Sequence, residues 1–159
     1  MKIGNVYRFA PVLAAAIALS ACNQSQQAAN PADGAANTAV AAHQDAREDI
    51  MHDWGAASKE MNAMLKDPSS FNADNFRAAA KKLDQDAWIH FPAGSEGGDA
   101  KPEIWQNPTA WQQEIDKYTQ AVAALNTAAQ SATSAADVQA QFNDVGASCK
   151  SCHQQFREK

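Results

Sequence analysis

Trp111, Ile115, Tyr118, Val122, Leu125 and Ala129 alternate steps of four and three, the spacing that lays every one of them along a single stripe of an α-helix. The same alternation runs through Ile50, Trp54, Ala57, Met61 and Met64, with Met51, Ser58 and Leu65 alongside. It returns in Phe76, Ala80, Leu83 and Ala87, and again in Val138, Phe142, Val145, Cys149, Cys152 and Phe156. Four amphipathic stripes within residues 43–159 can be kept from water only by one another. The sequence therefore predicts an all-α fold, an antiparallel four-helix bundle. Alanine fills many of the seam positions and buries little area, so the core is thin unless helices approach closely or a ligand occupies the space.

The breaks agree with the stripes. "DPSSFN" ends the first helix, and Asn72 is placed to cap the second. "FPAGSEGGDAKPE" then interrupts with two prolines and three glycines, a long connection of the kind that carries function. Asn107 followed by Pro108 opens the third helix, and the fourth opens near Ser134.

The start of the chain reads differently. Lys2 and Arg8 precede a short apolar run from Val12 to Leu19, which "LSAC" closes at Cys22. The run falls short of the roughly 20 apolar residues needed to span a bilayer. "LSAC" resembles a bacterial lipobox, so residues 1–21 are expected to be a lipoprotein signal peptide and Cys22 the lipidated residue, with acyl chains that anchor without spanning. Residues 22–42 have no aromatic side chain and no helical period, and are expected to form a flexible, lipid-anchored linker. As a coil, about 20 such residues average roughly 25 Å end to end. Residues 43–159 are left as the folded domain.

The 159-residue chain has 13 basic and 18 acidic residues, a formal charge of −5. Loss of Lys2 and Arg8 with the signal leaves 11 basic residues and a formal −7. That balance excludes a nucleic-acid partner, which requires clustered Lys and Arg.

With Cys22 assigned to lipid, the remaining thiols are Cys149 and Cys152 in "GASCKSCHQQFREK". On a helix these two and His153 project toward one face. Two thiols so placed can add across the vinyl groups of a haem, with the next imidazole reaching the iron from the same side. A zinc site needs four ligands, and His43, His52 and His90 are scattered. A redox dithiol of thioredoxin type follows a strand and opens a helix, whereas this pair closes one. The expected cofactor is one covalently attached haem c per chain, in keeping with export, because haem is attached to cysteines beyond the inner membrane.

An antiparallel four-helix bundle with C-x-x-C-H on its last helix resembles the cytochrome c prime family of class II c-type cytochromes, here in a lipoprotein form. The likeness spans nearly all of residues 43–159. Arg47 and Met51 match an Arg followed four residues later by a bulky side chain, "AWIHFPAGSEGGDAKPEIW" is similar to the family's long loop, and "DVGASCKSCHQQFR" to its haem-binding end. The resemblance implies that Cys149 and Cys152 carry the haem and that His153 is the proximal iron ligand. It implies too that the sixth position is empty and crowded by Met51, that Arg47 and Glu96 lie around a propionate edge, and that Arg157 is a proximal basic residue.

Taken with the expected signal and lipid anchor, which place the chain on the periplasmic side of a membrane and favour the outer one, the resemblance implies a membrane-tethered cytochrome with five-coordinate haem that binds nitric oxide and protects against nitrosative stress. The alternative is a six-coordinate electron carrier in which the Met51 thioether binds iron. The expected partners are nitric oxide or another small gas where the iron is open, and in either case a redox protein and the membrane, with a homodimer as a further option. No distal acid–base pair is evident, so an enzyme ranks last. His52, turned about 100° from Met51, is expected to face solvent or a partner. Trp54, Met61, Trp111 and Tyr118 are expected in the core, and Trp88 and Phe91 in either the core or the haem wall.

Overall fold

The computed structural model describes residues 31–159. The expected signal peptide, Cys22 and the first part of the expected linker lie outside the described residues. The described residues form five α-helices: α1 (Pro31–Lys66), α2 (Ala73–Lys82), α3 (Glu103–Gln106), α4 (Pro108–Ser131) and α5 (Gln139–Phe156). Four of them, α1, α2, α4 and α5, build the bundle, with α1 against α2, α2 against α4 and α4 against α5. The described residues contain no strand, only isolated bridges pairing Ala100 with Gly97 and with Arg157.

α1 corrects one expectation. It begins at Pro31, so residues 31–42, read as flexible linker, extend the first helix. The sequence there is alanine-rich, and alanine has the highest helix propensity, while proline suits a first helical turn. The missing apolar period reflects missing packing instead: Gly34 to Ala39 are exposed. The stripe begins to be buried at Arg47 and Ile50.

The caps follow the sequence. Asn72 Oδ1 accepts from Asn75 N–H at 2.9 Å, and Asn107 Oδ1 from Ala110 N–H at 3.3 Å. Near Ser134 the chain first makes a 3-10 turn, Ala135–Asp137, whose Asp137 carboxylate accepts from the backbone N–H groups of Thr133 and Ser134. α2 ends at Lys82, earlier than its stripe suggests, yet Leu83 and Ala87 stay buried. The Tyr118 hydroxyl, from α4, donates to the Leu83 carbonyl at 2.8 Å and satisfies that helix end.

Met61, Phe76, Leu83, Leu125 and Val138 fill the centre, with Ala57, Ala79, Ala80 and Ala129 between them. Trp54 stacks on Tyr118 at 4.6 Å between ring centroids, and Trp88 meets both edge-on. Trp88 is thus a core residue, whereas Phe91 and Trp111 wall a cavity at one end of the bundle.

Candidate functional site

That cavity, about 500 Å³, lies where the start of the α1 stripe faces the end of α5 under the long loop. α1 contributes Gln44, Arg47, Met51 and His52; the loop Phe91, Gly97, Gly98 and Asp99; and α5 Cys152, His153, Phe156 and Arg157. Positions 44, 47 and 51 recur at three and four residues, so a helix necessarily presents them together. His52 is exposed, as expected, and also borders the cavity beside Met51. His43 and His90, both half-buried, meet each other at 5.7 Å between ring centroids, away from these walls.

Arg47 fixes the loop. Only 6% exposed, its guanidinium donates to the carbonyls of His90, Ser95 and Gly97 at 3.1, 2.9 and 3.1 Å and lies over the Phe91 ring at 4.8 Å. Burial lowers its pKa and nearby Glu96 opposes the shift. An arginine so placed keeps its charge at neutral pH. Glu96 does not wall the cavity. Its carboxylate accepts from Gly94 N–H at 3.3 Å, and its carbonyl accepts from Gln44 Nε2 at 2.8 Å. The loop lies so close to α1 that a Cβ on Gly97, where φ is +108°, would sit 2.7 Å from Gln44 Nε2.

The far side of the loop is tied to the end of α5. Lys101 N–H donates to the Phe156 carbonyl at 2.9 Å, Glu158 N–H to that of Asp99 at 2.8 Å, and Arg157 pairs with the Asp99 carboxylate at 3.0 Å.

Cys149 and Cys152 are free, half-buried thiols. Burial raises both pKa values, that of Cys152 to about 12 with help from the Glu114 and Cys149 charges. Neither is a thiolate at neutral pH, which excludes an activated redox dithiol in this form. Cys152 opens onto the cavity, while Cys149 packs one turn earlier against the core. His153 is exposed toward the cavity, and crowding of its ring, together with Arg157, lowers its pKa. A neutral imidazole is the form that ligates a metal.

Glu114 is a site neighbour that the seam pattern passes over. One position from the half-buried Ile115, it is 2% exposed and bonded to Lys117 and Gln155. It stands between Trp111 and Tyr118 at steps of three and four, so a polar residue interrupting that variant of the stripe was the available signal. Ile104 of the short α3, also unforeseen, completes the cavity wall.

Two un-ionised thiols and a neutral imidazole lie on one helical turn, with Cys152 and His153 lining a cavity within the roughly 300–1,000 Å³ of cofactor pockets and Cys149 packed against the core, an arrangement that fits a covalently held haem. Fold and site together define a haem-binding four-helix bundle of c type.

The family model described as Cytochrome C' matches residues 42–157. Cytochrome c' of Alcaligenes xylosoxydans xylosoxydans is 35% identical over 102 residues, covering 62% of this chain and 80% of its own. Cytochrome c-554 of Cereibacter sphaeroides is 32% identical over 109 residues, covering 63% and 70%. The solved nitrosyl complex of a variant of cytochrome c prime from Alcaligenes xylosoxidans has a TM-score of 0.69 at 28% identity, covering 73% of this chain and 94% of that one. The chain belongs to the cytochrome c' family. It binds haem c covalently, as that family does, with Cys149 and Cys152 as the cysteines present.

Proposed function

We propose that this is a periplasmic c-type cytochrome, tethered by lipid on Cys22, whose haem is ligated by His153, left five-coordinate, and open to nitric oxide as a defence against nitrosative stress. The observation that carries the reading is the single cavity to which α1 presents Met51 while α5 presents Cys152 and His153. Ferrous haem with a vacant axial position binds NO and CO.

The chain's own residues do the rest. Cys149 and Cys152 attach the group to α5, and His153 supplies a neutral nitrogen beside them. Met51 places an apolar side chain on the α1 wall, which excludes water and offers no hydrogen-bond donor to stabilise polarised dioxygen. Arg47 holds the loop that roofs the cavity, and Arg157 brings a cation close to His153. The nitrosyl complex of the related cytochrome c prime supports the choice of ligand. Support for a lipid anchor comes from the expected signal and Cys22 alone, and conversion of Cys22 to Ala is expected to abolish incorporation of a lipid label into the protein.

The absorption spectrum of the ferrous holoprotein tests the coordination. High-spin, five-coordinate bands that shift on adding NO are expected, and Met51→Leu is expected to leave them in place. A sharp low-spin spectrum that becomes high-spin in Met51→Leu would establish the thioether as a ligand and replace gas binding by electron transfer. Redox partner and dimer formation are read out on the same sample by its reduction kinetics and its mass in solution.

A further inference from the structure

Glu114 is the least explained ionisable group in the bundle. Carboxylates are almost never buried to 2% exposure unless paired. Here the pairing is lopsided. Oε1 accepts from Lys117 Nζ and, at 3.0 Å, from Gln155 Nε2, with Ser151 beside it. Oε2 is sealed from solvent and has no partner among the described residues. The Lys117 side chain is 57% exposed, so its charge is well hydrated and compensates the buried anion only in part.

The placement matters more than the burial. Ser151 and Gln155 bracket Cys152 and His153 on α5, so the carboxylate is braced against the turn that holds the thiol and the imidazole. Hydrogen bonds from Lys117, Ser151 and Gln155 outweigh the burial and keep it ionised. A fixed anion behind a redox centre favours the state carrying the additional positive charge.

We propose that Glu114 is a positioning residue that sets the reduction potential of the haem: it holds the Ser151–Gln155 turn and, as an incompletely compensated buried anion, favours ferric over ferrous iron. The proposal rests on haem attachment at Cys149 and Cys152, and on neither gas binding nor the vacancy of the sixth position.

The test is the midpoint potential of the holoprotein by spectroelectrochemistry, without NO. Glu114→Gln keeps the shape and removes the charge. At a fixed solution potential it is expected to raise the ferrous-to-ferric ratio by about tenfold, or about 59 mV for one electron. Glu114→Asp keeps the charge and is expected to stay near the parent value. An unchanged ratio in haem-loaded Glu114→Gln, or an equal shift in Glu114→Asp, overturns the proposal. Should Glu114→Gln fail to load haem, Lys117→Met replaces it: losing the cation is expected to lower the ratio, and no change or a rise overturns the proposal. A low-spin parent spectrum would remove the gas-binding reading and leave this comparison intact.

Discussion

Replacing Arg47 by Met tests whether the cavity roof is held by one side chain. Methionine keeps much of the apolar stem and removes the guanidinium, which donates to three loop carbonyls and stacks on Phe91. Hydrogen bonds to a charged group contribute about 1.5–3 kcal/mol each, and a partly desolvated cation–π contact about 1 kcal/mol. Simple addition overshoots, because the His90 and Gly97 carbonyls are only part-buried and water can replace the donor there. The Ser95 carbonyl is buried and has no such recourse. A loss of about 3 kcal/mol is therefore expected, or a melting point lower by roughly 10 °C for a domain of this size. Denaturant unfolding of the holoprotein measures the loss, and amide exchange over residues 91–100 locates it. Arg47→Lys, with its charge but without the fork, is expected to recover less than half. A change below about 1 kcal/mol with unaltered loop exchange would refute the argument that Arg47 holds the roof.

Gly97→Ala combines positive φ with a 2.7 Å approach to Gln44 Nε2, and about 1–3 kcal/mol of destabilisation is expected. Adding Gln44→Ala is expected to recover the steric part, which a double-mutant cycle by thermal melting would show as coupling. Acid sensitivity is expected from Asp137 and Glu114, both held below their ordinary pKa values by hydrogen bonds. Because the folded values are depressed, the unfolded chain takes up protons first. Stability should be level above the unfolded carboxylate range near pH 4 and fall as pH drops below it, with Asp137→Asn showing a shallower decline in a pH-dependent melt.

The helices were legible because period and caps are local properties. Asn72, Asn107 and Pro108 announce their helix starts without help from the rest of the chain, and the stripe from Trp111 to Ala129 could be buried in only one way. Cys149, Cys152 and His153 were legible for the same reason, being one helical turn. What escaped depends on distant partners. The alanines before His43 have no stripe to declare them helical, yet they propagate a helix that packing has already nucleated further along. The expectation that Arg47 lies beside a propionate says nothing of its hold on the loop, because the carbonyls it grips stand 43–50 residues away and come within reach only when the loop closes on α1. Glu114 was hidden because its partner Gln155 lies 41 residues on.

The ties between the long loop, α1 and the end of α5 also make the loop a shared strap. Arg47 grips it from one side, and the Phe156–Glu158 segment clasps it from the other. Any opening of the loop has to break one clasp and pivot on the other, or break both. The start of the α1 stripe and the end of α5, which face each other across the cavity, are therefore coupled through the loop, and a disturbance at either wall is passed to the opposite one by the same few backbone carbonyls.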